Sequence, residues 1–295
     1  MSTKYTNIAS EDNVYTNIVS QDQLTTLTSA LIIDCRAKLG DASWGKEQYL
    51  AGHVPGAVYA NLDTDLAAPP GSGGRHPLPS QSAWVATLRN WGLQQNQQVV
   101  LYDDALGAYA ARAWWMLRWV GHENAAVLDG GLKHWTGTLE TGPFDSEQDQ
   151  EIQRSRFEPQ QPLVTPVSVD AISIRTDRDS SGSRQLQLVD ARTEARWAGE
   201  EEPIDAIAGH IPGALCMPFQ DNLTPDGLFL TARQLQDRFA QLTDPIVCYC
   251  GSGVTACHNI LALDIAGRSA DLFVDSWSGW ITDPTRPIAG RNHQS

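Results

Sequence analysis

Short apolar runs recur along this chain, and each gives way to a stretch with a different period. Leu31–Ile33 and Val99–Tyr102 are β-rich runs bounded by turn residues. Tyr109–Val120 carries apolar residues at helical spacing and stops before Gly121. A later run, Pro245-Ile246-Val247, leads through Cys248-Tyr249-Cys250 and Gly251-Ser252-Gly253 into another stretch with helical spacing. Apolar strands alternating with helices predict an α/β fold, a parallel sheet with helices on both faces.

The alternation runs through twice. "LIIDCRAKLGD" at Leu31 is echoed by "LQLVDARTEAR" at Leu186, and "AGHVPGAVYANLDTDL" at Ala51 by "AGHIPGALCMPFQDNL" at Ala208. "VVLYDDALGAYAARAWW" at Val99 is echoed by "IVCYCGSGVTACHNILA" at Ile246. Asp34, His53, Tyr102 and Gly121 recur in order as Asp190, His210, Tyr249 and Gly267, so the chain holds two copies of one domain. The first copy is longer between its His and Tyr landmarks, a difference that "APPGSGGRHPLP" accounts for. The expected organisation is an N-terminal extension over 1–20, a first copy over 21–139, a linker over 140–165 and a second copy over 166–295. The linker is expected because its sequence is polar, contains proline and lacks periodicity. "YTNIAS" at Tyr5 and "YTNIVS" at Tyr15 form a small duplication to which no function is assigned; the second of them is read as feeding the first domain.

A length of 295 residues suits two domains, and 41% hydrophobic residues suffice for their cores. The net charge of −14 argues against a nucleic-acid partner, because a polyphosphate backbone calls for a basic surface. No apolar run reaches the ~18 residues of a membrane span. The N-terminus lacks the apolar core of a signal peptide, so a cytoplasmic location is expected. Five cysteines, Cys35, Cys216, Cys248, Cys250 and Cys257, are an odd number in such a chain and argue for free thiols. Cys248 and Cys250 have no second Cys or His pair at ligand spacing, so neither a metal nor a cofactor is expected.

Cys250 stands apart from the other four. It lies where a buried strand ends and a helix begins, and ligands of α/β sheets bind outside the carboxyl ends of the strands. Gly251, Ser252, Gly253, Val254 and Thr255 form a loop able to turn backbone N–H groups inward, and the helix that follows points its positive end the same way. Both favour an anionic sulfur and an anion bound beside it. Cys35, Cys216, Cys248 and Cys257 read as small buried hydrophobes. Aligning Tyr102 with Tyr249 sets Asp103 opposite Cys250, so only the second copy carries a nucleophile.

The two "GH[VI]PGA" turns (Gly52–Ala57 and Gly209–Ala214), "DGG" with Trp135, "SWSGW" at Ser276 and the loop "CGSGVT" resemble the tandem-domain sulfurtransferases of the rhodanese family. The resemblance covers almost the whole chain after the N-terminal extension. It implies a silent first domain and a second domain whose Cys250 takes up a sulfane sulfur as a persulfide. It further implies transfer to a thiophilic acceptor such as cyanide, a small thiol or a thioredoxin-like protein, with ping-pong kinetics. The donor implied is a small anion, 3-mercaptopyruvate or thiosulfate. The uncharged "CGSGVT" loop is similar to the mercaptopyruvate type, and the hydroxyls of Ser252 and Thr255 are placed to donate to donor or persulfide.

Arg196, in "EARWAGEEEP", matches the first of the family's two arginines for the donor carboxylate. Ile204 stands where the second normally follows Glu-Pro, which implies weak mercaptopyruvate binding with thiosulfate also accepted. Gly279 stands where the family often has glutamate. His53 and His210 read as architectural, with a second reading for His53: with Asp41 upstream it reaches the cleft between the copies and assists Ser252. Arg75, on the extra loop of the first copy, either lines that cleft or forms a salt bridge. His258, Trp277 and Trp280 read as packing. Two other classes compete. A phosphatase of this fold needs Cys-x5-Arg, but the sixth residue after Cys250 is Ala256 and after Cys248 is Val254. A non-catalytic binding module would have no use for Cys250 with its glycine loop.

Overall fold

Two five-stranded parallel sheets organise the chain in this computed structural model, which describes residues 14–143, 155–176 and 186–291. The first holds β1 (Ile18–Val19), β2 (Leu31–Asp34), β3 (Val58–Tyr59), β4 (Val99–Tyr102) and β5 (Ala125–Leu128) in the order β1-β5-β4-β2-β3. Helices α1 (Gln21–Leu24), α2 (Trp44–Ala51), α3 (Gln81–Asn90) and α4 (Ala110–Trp119) flank it. β4 is central, and all four of its residues are buried, which is why Val99–Tyr102 is a continuous apolar run and not an alternation. α4 is buried from Ala110 to Leu117, and the chain turns out of it at Gly121 with φ +77°.

The second sheet holds β6 (Pro166–Val167), β7 (Gln187–Asp190), β8 (Leu215–Cys216), β9 (Ile246–Tyr249) and β10 (Asp271–Phe273) in the order β6-β10-β9-β7-β8. Its helices are α5 (Val169–Thr176), α6 (Glu194–Ala198), α7 (Ala232–Arg238), α8 (Ala256–Ile265) and α9 (Ser276–Trp280). The topology repeats that of the first sheet strand for strand. Central β9 is again fully buried, and α8 is buried from Ala256 to Leu263, with its two polar residues there, His258 and Asn259, bonded to Asn222.

The landmark residues of the repeat are structural. In the first unit Asp34 accepts from the Nε and Nη2 atoms of Arg36 and from the hydroxyl of Tyr102, while Arg36 Nη2 also donates to Gly52 O at 2.6 Å. In the second, Asp190, Arg192 and Gly209 O form the same arrangement. A buried aspartate–arginine pair thus ties the end of a strand to the Gly-His turn in each unit. His53 stacks on Tyr49 with its Nδ1 2.8 Å from Tyr49 O, and His210 stacks on Trp197 with its Nδ1 2.7 Å from Trp197 O. Burial holds the His210 imidazole below its ordinary pKa.

The units do not divide the sequence at the boundaries expected from it. The first unit reaches back into the stretch read as an extension: Tyr15 is buried and Ile18–Val19 is an edge strand paired with β5. The "YTNIAS" at Tyr5 lies outside the described residues. At the other end, Glu140 forms a β-bridge with His53, Phe157 is fully buried, and Leu163 N donates to Arg118 O. The described parts of the expected linker are therefore packed. Pro69–Pro77, from the first sequence copy, belongs to the second unit, and Asp226–Leu228, from the second copy, to the first. Composition marks polar loops but does not say which sheet they pack on. Among the described residues no helix is long and apolar enough to cross a membrane.

Candidate active site

Cys250 follows directly on β9 at the carboxyl edge of the second sheet, and it is 2% exposed. Its backbone is held from α9: the N–H of Cys250 donates to Ser276 Oγ at 3.1 Å, and its carbonyl accepts from Trp277 N at 3.0 Å. Gly251 O accepts from Ser278 N at 2.9 Å. Gly253 sits at φ +76°, the left-handed turn that lets the loop fold back into α8. Ser252 is buried, and its Oγ lies 2.8 Å from His76 Nδ1.

The corresponding loop of the first unit shows what such a loop does with its backbone. Asp103 follows β4 as Cys250 follows β9, and its carboxylate accepts four N–H bonds of 2.8–2.9 Å, from Ala105, Gly107, Tyr109 and Ala110. The first unit fills its own anion cradle with a side chain. The second unit has a cysteine there.

The loop is pinned by a residue in a costly conformation. Ser276 has φ +54°, while the residue at the same point of the first unit is Gly131, with φ +58°. A non-glycine residue in the left-handed region is strained, and Ser276 compensates by bonding Cys250 N and Phe273 O. Ser276→Ala is expected to keep the strain and orphan the Cys250 N–H, a loss of about 1–3 kcal/mol. Ser276→Gly relieves the strain and is expected to unfold at a higher urea concentration than Ser276→Ala. Equal midpoints for the two variants would contradict this account.

Three arginines and two carboxylates meet beside α6. Arg192 Nη1 donates to Glu202 Oε2 at 3.2 Å, and Arg196 donates from Nε and Nη2 to Glu202 at 3.2 and 2.7 Å. Arg196 Nη2 also reaches Asp205 Oδ2 at 3.2 Å. Arg75 joins from the segment Pro69–Pro77, with Nε and Nη2 donating to Asp205 at 2.9 and 3.1 Å. Burial pushes the Glu202 carboxyl up, but Arg196 and the backbone N–H groups of Asp205 and Ile204 outweigh it, so it titrates below the ordinary range. Its contribution to holding Arg196 is therefore present at neutral pH and is lost as pH falls through that lowered value.

Some residues expected in the site are elsewhere. His53 is occupied by Tyr49 and lies 4.0 Å from Glu140, and Asp41 pairs with Lys38 and Ser43 in an exposed turn. The Ser252 hydroxyl meets His76, the neighbour of Arg75 in the extra loop of the first copy. Nothing local marks it, because its partner is 176 residues away. Of the two readings of Arg75, the salt bridge is observed, to Asp205. His258 is packed between Phe219 and Phe229, and Trp277 and Trp280 are core residues. All five cysteines are free. Burial pushes the thiols of Cys35 and Cys248 well up, and burial with the nearby Asp190 carboxylate pushes that of Cys216 up to about 11.

The profile of the rhodanese-like domain matches residues 19–138 and 177–283. A probable 3-mercaptopyruvate sulfurtransferase of Pseudomonas aeruginosa is 46% identical over 278 residues, covering 88% of this chain and 92% of that one. A putative thiosulfate sulfurtransferase, SseB, of Mycobacterium tuberculosis is 39% identical over 268 residues, covering 87% and 89%. Among solved structures, the 3-mercaptopyruvate sulfurtransferase SseA of Escherichia coli superposes with a TM-score of 0.72 at 29% identity, covering 90% of this chain and all of that one.

Proposed function

We infer, for a chain that belongs to the rhodanese family and is a sulfurtransferase, that the transferred sulfur is carried as a persulfide on Cys250. The observation that carries this reading is the pair of loops: where the first unit gathers four N–H groups on the Asp103 carboxylate, the second presents a sulfur. A loop built to surround an anion stabilises both the attacking thiolate and the persulfide that follows.

With 3-mercaptopyruvate the thiolate of Cys250 attacks the donor sulfur and forms the S–S bond. The donor C–S bond breaks, and its electron pair passes to carbon as the enolate of pyruvate. One proton then converts the enolate to pyruvate. Arg196 binds the donor carboxylate. Ser252, oriented by its bond to His76, offers its hydroxyl to the developing negative charge, and His76 can replenish the proton. In the second half-reaction an acceptor attacks the outer sulfur and Cys250 leaves as thiolate; cyanide becomes thiocyanate, and a small thiol or a thioredoxin-like protein becomes a persulfide.

Thiosulfate fits the same chemistry with sulfite as leaving group, and relatives are named for each donor. The charge balance favours 3-mercaptopyruvate. Arg75, Arg192 and Arg196 are matched by Asp190, Glu202 and Asp205, and the loop 251–255 adds no charge. Such a site tolerates one negative charge more readily than the two of thiosulfate.

Loading the protein with donor, removing the excess and adding cyanide is expected to release one equivalent of thiocyanate. Initial rates at varied donor and acceptor are expected to give parallel double-reciprocal lines. Intersecting lines, with no thiocyanate from preloaded protein, would rule out a sulfur-carrying intermediate.

A further inference from the structure

We propose that Arg75 is a donor-anchoring residue, which with Arg196 forms a two-guanidinium clamp for the donor carboxylate beside Gly251. The proposal rests on the reading of Cys250 as the sulfur carrier. Its basis is the convergence of two cations on one point next to that cysteine. A methyl group built on Gly251 would lie 2.8 Å from Arg75 Nη2 and 3.4 and 3.6 Å from Arg196 Nη2 and Nη1. Two guanidinium groups so close repel each other, and they are held together because Asp205 accepts from both. Asp205 and Glu202 take up only the Nε and Nη2 atoms. The Nη1 atom of each arginine has no partner among the described residues. Two preorganised guanidinium groups with unused donors, one residue from Cys250, suit a planar carboxylate.

Three other features of the chain make sense on this basis. Gly279 is glycine because a Cβ there would lie 2.5 Å from Asp275 Cβ and 3.3–3.4 Å from the backbone of Gly73 and Gly74. Gly74, at φ +91°, would place a Cβ 2.5 Å from Ser278 Oγ and 2.8 Å from Asp275 O. Arg75 N then donates to Ser278 Oγ at 3.1 Å. The segment lies on α9 with no room for side chains at Gly74 or Gly279, and this contact brings Arg75 to Gly251. Ile204, by contrast, is 43% exposed, and its backbone N–H serves Glu202. The second anchor is therefore not missing from the site. It is supplied by residue 75 and not by residue 204, and the weak mercaptopyruvate binding expected from Ile204 does not follow.

The test compares 3-mercaptopyruvate with its primary amide, which offers the same sulfur without the carboxylate. Loading is followed as the gain of one sulfur atom in the mass of the Cys250 peptide. Arg75→Ala is expected to lower kcat/KM for the acid about 10- to 100-fold, mainly through KM, and to change that for the amide less than about threefold. Arg75→Lys, which keeps the charge but cannot fork, is expected to recover only part of the loss. In the wild type, pyruvate is expected to protect Arg75 and Arg196 from phenylglyoxal, a measurement that needs no variant. Equal losses for acid and amide would make Arg75 a structural residue and overturn the proposal. So would an unchanged kcat/KM for the acid, or an absence of protection. Wild-type protein that loads from neither donor would instead overturn the Cys250 reading, and the clamp with it.

Discussion

Cys250→Ser is expected to reduce sulfur transfer by at least about a thousand-fold while leaving the fold in place. A residue that carries sulfur as a persulfide must both attack a sulfur and leave from one. A serine alkoxide does neither at neutral pH, and no other cysteine can substitute. Cys248 is fully buried on β9 with its thiol pushed up by burial, and Cys257 is buried in α8 with its Sγ 3.4 Å from Gly253 O. The substitution is nearly isosteric, so a stability loss of no more than about 1–2 kcal/mol is expected. Cys257→Ala serves as the control. It leaves a small cavity, costs on the order of 1–2 kcal/mol and keeps the activity of the folded protein. Persulfide mass, thiocyanate release and urea unfolding on the same preparations separate these outcomes. Activity of Cys250→Ser above a few per cent of wild type would move the sulfur to another residue.

Asp190→Ala is expected to destabilise the second unit by about 3–5 kcal/mol, a large part of a typical domain stability of about 5–15 kcal/mol. Asp190 is fully buried and accepts from Arg192 three times through its side chain and once through its backbone N–H. Removing it leaves the Arg192 guanidinium buried with Gly209 O and Glu202 as its remaining partners. Arg192 then competes with Arg196 for Glu202, so KM for the donor is expected to rise as well. Asp34→Ala is the matched comparison. It breaks the same kind of pair with Arg36 in the first unit, which has no link to Glu202. It is expected to cost similar stability and to leave donor KM of the folded protein unchanged. Calorimetric unfolding and steady-state kinetics on both variants test this. A loss below about 1 kcal/mol for Asp190→Ala would mean that the pair is not the tie described.

The paired variants are informative because the same residues serve two ends. Asp34 and Asp190 were first landmarks of a sequence repeat, and in the structure they anchor the Gly-His turn to the sheet. In the second unit the arginine also donates to Glu202, which holds Arg196 beside Gly251. The two units share one scaffold and differ at a few side chains: Cys250 for Asp103, Ser276 for Gly131, and the Glu202–Asp205 carboxylates.

The amino-acid sequence by itself determined the duplication, the parallel α/β sheets, the placement of Cys250 after a central strand and the architectural role of the Gly-His turns. These are legible because they rest on local patterns: buried central strands are continuous apolar runs, helices keep their period, and a loop between glycines announces its own shape. The family resemblance marked Arg196 for the donor carboxylate and left Arg75 between lining a cleft and forming a salt bridge. Tertiary structure alone decided that Pro69–Pro77 packs on the second unit, that His76 and not His53 meets Ser252, and that Asp205 bridges Arg75 and Arg196 beside Gly251. It also decided that Gly279 is small because the backbone of Gly73 and Gly74 lies against it. None of these partners is near the other in sequence, and a polar loop carries no periodicity to say where it will lie. Their meeting is set by close packing of backbone on backbone and by the need of each buried charge for a counter-charge, conditions that exist only once the chain has folded.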